Sequence, residues 1–104
     1  KHKDMILKEG VKINGTRPEI VFALNVCDAV YSKYGEELVI TSLNDGKHSI
    51  TSLHYAGCAA DLRTHYFDID EVKIVAADIR SRLGLDYDVI VEKDHIHLEF
   101  QPRR

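Results

Sequence analysis

Residues 87–100 read YDVIVEKDHIHLEF, and this stretch decides the fold class. Apolar and polar residues alternate over 95–100, so Ile96 and Leu98 share one face of a predicted strand with Phe100. The polar run at 92–94 separates this strand from a β-rich run at 87–91. The stretch therefore predicts a β-hairpin that turns near Lys93.

Two stretches upstream of the hairpin carry apolar residues at helical spacing. The first predicts a helix over 17–34, with Thr16 as its N-cap and Gly35 at its end. The second predicts a helix over 70–83, with Asp70 as a candidate cap.

The rest of the chain supplies shorter strand signals. Residues 38–41 are rich in β-formers, and 57–62 are small and apolar enough for a short buried strand. Residues 47–53 form a predicted polar loop. Helices and strands are mixed and the chain ends in an antiparallel pair, so we predict an α+β class. The expected architecture is one domain over 1–104, with two main helices and a small mixed or antiparallel sheet.

Composition excludes several classes of function. Hydrophobic residues make up 44% of the 104-residue chain and charged residues 30%, as in ordinary globular domains. The net charge of −3 argues against a general nucleic-acid binder. No apolar run reaches the roughly 20 residues that a membrane-spanning helix needs, so membrane insertion is not expected. Cys27 and Cys58 are predicted to be buried free thiols.

Histidine and carboxylate residues form one constellation with metal-binding potential. His95 and His97 lie two residues apart, so their side chains share the strand face opposite the apolar stripe. Asp61 interrupts an otherwise apolar stretch, where a carboxylate is costly unless it is paired or coordinated. His54 precedes it by seven residues, and Gly57 between them allows the chain to turn. Two histidines and one aspartate fit a catalytic zinc site.

Residue types alone leave simpler interpretations open. Asp61 could form a salt bridge with Arg63 or cap a helix, and His95 and His97 could be a solvated pair on a strand.

A longer motif points to a known family. Residues 52–61, SLHYAGCAAD, fit the pattern S-x-H-x-x-G-x-A-x-D at every specified position, and 94–97, DHIH, resemble a second motif written E-x-W-H or H-x-H. The chain resembles the D-alanyl-D-alanine carboxypeptidase family of zinc peptidases, which includes VanY-type and VanX-type enzymes and phage endolysins. The resemblance covers roughly 39–100. It implies the fold group of the lysostaphin-type peptidases and the hedgehog signalling domain.

The resemblance also implies a site. His54, Asp61 and His97 would bind Zn²⁺, and the zinc would activate water to hydrolyse peptide bonds of bacterial peptidoglycan stem peptides. The general base would be Asp94, three residues before the last ligand, with His95 as the second candidate. Glu92, not named by the motif, is a third.

Substrate binding departs from the family pattern. The family's usual arginine is absent from residues 41–47, where Lys47 or the following His48 could bind a substrate carboxylate instead, as a point charge. Ser52 could stabilise an oxyanion or bond its own loop, and Arg63 could anchor the substrate or support Asp61.

Other function classes stay open beside the peptidase. A non-catalytic zinc-containing binding module of the same fold is the main alternative, and a metal-dependent nuclease is disfavoured by the acidic balance. Residues 1–8 show no signal peptide. The chain is then cytosolic as made, trimmed, or exported by other means. The resemblance favours a protein made in a bacterial or phage-infected cytoplasm that acts on the cell wall. Oligomeric state is not predicted.

Overall fold

A computed structural model of the protein describes residues 4–43 and 58–102. Over these residues the secondary structure elements, in chain order, are β1 (Ile6–Leu7), α1 (Pro18–Lys33), β2 (Val39–Leu43), β3 (Ala59–Arg63), α2 (Ile69–Leu83), β4 (Tyr87–Val91) and β5 (His95–Phe100). The predicted helices and the predicted hairpin are confirmed to within about two residues at each end.

The strands form one mixed sheet in the order β1-β2-β3-β5-β4. β1 runs parallel to β2, and the β2–β3, β3–β5 and β5–β4 pairs are antiparallel. The predicted α+β class is confirmed. β3 lies at the centre of the sheet, so both of its edges are hydrogen-bonded to neighbouring strands, β2 on one edge and β5 on the other.

The start of α1 corrects the prediction of a Thr16 cap. The N-cap is Arg17, whose side chain makes no capping hydrogen bond, and Pro18 begins the helix. Proline suits the first helical position because the missing N–H would have no partner there. The helix ends as predicted: Gly35 has φ of +80°, and the Glu36 N–H donates to the Tyr31 carbonyl at 3.0 Å, as in a Schellman motif.

The start of α2 corrects the prediction of an Asp70 cap. Asp68 is the N-cap, and its Oδ1 accepts from the Glu71 N–H at 2.8 Å. In the other direction, the Glu71 Oε1 accepts a hydrogen bond from the Asp68 N–H at 2.9 Å. This reciprocal capping box satisfies two N–H groups that would otherwise lack partners. Asp70 lies two residues after the N-cap, inside the first turn of the helix, and so is not the cap.

The hydrophobic core lies between the helices and one face of the sheet. Ile20 and Tyr31 of α1 and Ile79 of α2 are fully buried there. From the sheet they meet Leu38, Ile40, Leu43, Ala60, Leu62, Val89, Ile96 and Leu98. Side chains alternate along each strand, so the intervening residues of β3 and β5 lie on the opposite face. We call this the polar face; it carries Asp61, His95, His97 and Glu99.

A β-bulge in β2 lies beside Asp61. Ile40 pairs with Leu62, but Ser42 rather than Thr41 pairs with Asp61, so β2 has one extra residue at this point. The bulge returns Leu43 to the core side, where it is 1% exposed. Bulges bend a strand and redirect side chains, and they are frequent beside active sites.

The two cysteines, Cys27 and Cys58, are free and buried, as predicted. Burial raises the pKa of the Cys27 thiol to about 12, so it stays protonated. Among the described residues, neither helix has the length and apolar character needed to cross a membrane.

Candidate metal centre

The pairing of β3 with β5 brings Asp61 and His97 together. They are partners in the antiparallel register, and both side chains project on the polar face. The His97 Nδ1 lies 2.9 Å from the Asp61 Oδ1, although 36 residues separate them in the chain. Both side chains are about a quarter exposed, so a ligand can reach them.

Glu99 contacts the other nitrogen of the same ring. Its Oε1 lies 3.0 Å from the His97 Nε2, and the residue is only 7% exposed. Strand alternation places Glu99 on the same face as His97, but it does not predict that the two side chains are in contact. The imidazole of His97 is therefore held between two carboxylates, one on its own strand and one on β3.

These carboxylates favour the charged form of the imidazole. The hydrogen bond that His97 donates to Asp61, with a further one that it donates to Glu99, raises the pKa of His97 to about 9 against the opposing effect of burial. Both ring nitrogens then donate at neutral pH, Nδ1 to Asp61 and Nε2 to Glu99. The two carboxylates therefore favour a positive charge beside Asp61. In the metal-free protein, the proton on His97 Nδ1 supplies this charge.

The donor atoms suit zinc. Two ligands that each lie about 2.0–2.1 Å from a tetrahedral Zn²⁺ are roughly 3.3 Å apart. The 2.9 Å separation of Asp61 Oδ1 and His97 Nδ1 is within a few tenths of an ångström of this spacing. A carboxylate oxygen and an imidazole nitrogen are also donors that zinc accepts.

The third predicted ligand, His54, lies outside the described residues. Within 4–43 and 58–102 there is no group of three or more His, Cys, Asp and Glu side chains arranged to hold a metal. The described part of the site thus supplies two of the three predicted ligands.

The two candidate bases contact each other. The Asp94 Oδ1 lies 2.7 Å from the His95 Nδ1, and the His95 Nε2 lies 3.6 Å from the Asp61 Oδ1. Asp94 is in the turn between β4 and β5, where its side chain is 83% exposed. The hydrogen bond to His95 is the main cause that lowers the pKa of Asp94. His95 therefore lies between Asp94 and Asp61 and contacts both side chains.

A shallow depression on the polar face adjoins the site. Its lining includes two cationic side chains, Lys8 and Arg63, and both residues beside the bulge, Thr41 and Ser42. The remaining residues of the lining are Asp61, His65, Asp94 and His95. The sequence singled out Arg63 but not Lys8, because Lys8 reaches the depression through the parallel β1–β2 pairing. Ser52 and Lys47, the other predicted substrate contacts, lie outside the described residues.

Comparison with known proteins adds no relative: no family model matches the chain, and no curated protein matches it.

Proposed function

We propose that this protein is a zinc-dependent peptidase that hydrolyses peptide bonds in bacterial peptidoglycan stem peptides. The observation that carries the proposal is the contact between Asp61 and His97, which the motif resemblance pairs as ligands and which lie 2.9 Å apart across β3 and β5. A mixed sheet with both helices on one face leaves this pair on the other, which suits the hedgehog and D-alanyl-D-alanine peptidase type of fold that the resemblance implies.

Asp61 and His97 would hold the metal together with His54. When bound, Zn²⁺ lowers the pKa of a water molecule toward 7 and polarises a carbonyl group. Asp61 contributes negative charge and His97 a neutral nitrogen, so His97 must release its Nδ1 proton when the metal binds.

The hydrogen-bonded pair of Asp94 and His95 would accept the proton of the attacking water. Asp94 is the first candidate for the general base, as the motif implies, and His95 is the second. Their 2.7 Å contact lets one residue stabilise the charge that the other gains. The same pair would return the proton to the leaving amine.

The depression beside Asp61 would receive the peptide. Arg63 and Lys8 provide positive charge there, which suits a substrate with a carboxylate near the scissile bond. Arginine can bind a carboxylate through two parallel hydrogen bonds, whereas lysine acts as a point charge. We assign Arg63 the main anchoring role, with Ser52 and Lys47 as further contacts from the segment that precedes β3.

One observation favours a second candidate, a non-catalytic zinc-containing module. The Asp94 side chain is 83% exposed and bonded to His95, whereas a working general base needs direct reach to the attacking water.

Metal content and peptide hydrolysis separate these functions. The purified chain is loaded with Zn²⁺, freed of excess metal, and incubated with purified peptidoglycan and with synthetic stem pentapeptides. The peptidase proposal predicts about one zinc per chain and release of D-alanine or of cleaved stem peptide, and chelation should abolish the release. One zinc per chain without cleavage of any peptide would establish the non-catalytic module instead.

Matched variants then identify the base. We expect Asp94→Asn to lower kcat by about 10²–10⁴-fold, the usual contribution of a general base, while zinc content is retained. The smaller effect is expected for His95→Gln, which removes only the partner of Asp94. The reverse order would assign the base to His95.

A further inference from the structure

Glu99 is the buried acidic group of the polar face whose role the proposed function leaves open. It is 7% exposed, and its carboxylate oxygen lies 3.0 Å from the His97 Nε2. Carboxylates are seldom buried to this extent without a partner, because desolvation is costly. The His97 ring is such a partner, and it is also a predicted metal ligand.

We propose that Glu99 is a positioning residue for the metal: it accepts a hydrogen bond from the Nε2–H of His97 and so leaves the Nδ1 lone pair to bind Zn²⁺. The proposal rests on the proposed zinc site and extends it by one residue. A neutral imidazole carries one proton, on either ring nitrogen. The hydrogen bond to Glu99 keeps this proton on Nε2. The unprotonated nitrogen is then Nδ1, which lies 2.9 Å from the Asp61 Oδ1.

The geometry fixes the ring as well as the proton. Glu99 follows His97 by two residues on the same strand face, so β5 alone sets their separation. Asp61 lies across the β3–β5 pairing on the other side of the ring. A rotation of the imidazole about its χ2 angle would break both contacts at once. The ring is thus oriented before any metal arrives.

The expected consequence is a contribution to metal affinity rather than to the chemical step. Carboxylates that accept the second N–H of a ligating histidine orient the ring and raise its basicity, and their loss weakens metal binding by about 10–100-fold. Glu99 does not itself contact the Nδ1 side where the metal would bind. It therefore acts through His97 and is not a metal ligand.

Two substitutions separate orientation from charge. Glu99→Gln keeps the shape and an accepting oxygen but removes the charge, whereas Glu99→Met removes both at similar volume. Zinc dissociation constants are measured by competition with a chromophoric chelator. We expect about 10-fold weaker binding for Glu99→Gln and about 100-fold for Glu99→Met.

The matched control is Asp88→Asn. Asp88 pairs with Glu99 in the β4–β5 register and so tests the loss of one acidic charge on the same face. We expect its zinc affinity to stay within about threefold of that of the unsubstituted protein, because Asp88 is partly exposed to solvent, which screens the effect of a single charge.

Two further readouts distinguish positioning from a structural role. Circular dichroism and thermal unfolding of the metal-free variants report folding, and the visible spectrum of the Co²⁺-loaded protein reports the coordination of the metal. Positioning predicts a folded metal-free Glu99→Met protein with weakened binding and an altered Co²⁺ spectrum. Unchanged zinc affinity and an unchanged spectrum in both Glu99 variants, with a normal unsubstituted protein, would overturn the role of Glu99 alone. An unsubstituted protein that binds no zinc would overturn the proposed function, and the role of Glu99 with it.

Discussion

The two faces of strands β3 and β5 differ in polarity and in the contacts of their side chains, although their residues alternate along the same backbone. On one face Leu62, Ile96 and Leu98 are fully buried beneath the helices. On the other, Asp61 and His97 are about a quarter exposed and bonded to each other. Neighbouring residues therefore have separate tasks: the apolar face holds the strands in register, and the register brings the polar side chains together.

The largest effect on stability is expected for a residue adjacent to the site but on the other face. Ile96→Ala should lower the free energy of unfolding by about 2–5 kcal/mol, because it leaves a cavity in the core. Zinc affinity, measured well below the unfolding temperature, should be unchanged. Urea denaturation of the metal-free protein provides the free energy of unfolding.

The control for this substitution is Ile90→Ala. Ile90 pairs with His97 in the register but is 45% exposed, so we expect a loss below about 1 kcal/mol. Equal losses for the two isoleucines would contradict the distinction between the faces.

The pH dependence of stability tests the polar face. The carboxylates raise the pKa of His97 from 6.5 to about 9 in the folded metal-free protein, so folding favours its protonated form. The stabilisation is complete below about pH 6.5 and is lost as the pH rises through about 9. We expect a decline of about 1–3 kcal/mol over this range, allowing for solvent screening of a partly exposed ring.

Urea denaturation of the metal-free protein at a series of pH values measures this decline. His97→Gln should remove most of it, whereas His65→Gln should leave it intact, since His65 is exposed. A stability that is constant or rises between pH 6.5 and 9 would show that the Asp61–His97 contact is not formed.

The smallest effect on stability is expected for Tyr31, which connects helix α1 to the end of strand β3. The Tyr31 hydroxyl, on α1, donates to the carbonyl oxygen of Arg63 at the end of β3. Tyr31 is fully buried, so Tyr31→Phe leaves this partly buried carbonyl without its hydroxyl partner, and we expect a loss of about 1–2 kcal/mol. Tyr87→Phe, at a half-buried hydroxyl that donates to the Glu19 carbonyl, should cost less. Thermal unfolding of both variants checks the order, and a larger loss for Tyr87→Phe would refute it.

Much of the fold follows from local patterns in the sequence. The alternation over 95–100 predicted which residues of β5 face the core, and the helical spacing of apolar residues predicted α1 and α2. The caps were harder. Asp68 and Asp70 are both good capping residues for α2, and Thr16 is a good one for α1 although Arg17 is the N-cap there, so only the backbone identifies the cap. The parallel pairing of β1 with β2 joins distant segments, which local patterns do not report.

The site shows the same division. Spacing placed His95, His97 and Glu99 on one face of β5, but the contact of His97 with Asp61 depends on the register between β3 and β5. Only the resemblance of residues 52–61 and 94–97 to the peptidase motifs grouped Asp61 with His97, because local spacing does not report a contact between two strands. The bulge in β2, which brings both Thr41 and Ser42 to the depression, depends on the β2–β3 register and left no sign in the sequence.

Zinc binding by an Asp61→Asn variant is the most direct test that Asp61 and His97 belong to one metal site. Asparagine keeps the size of the side chain but removes the anionic oxygen that lies beside His97 Nδ1. We expect the unsubstituted protein to bind one Zn²⁺ per chain. Asp61→Asn, still folded by circular dichroism, should bind it more than about 100-fold more weakly, a larger loss than for a residue that acts only through a ligand. A folded Asp61→Asn protein that binds zinc as tightly as the unsubstituted chain would contradict the assignment of Asp61 and His97 to one metal site.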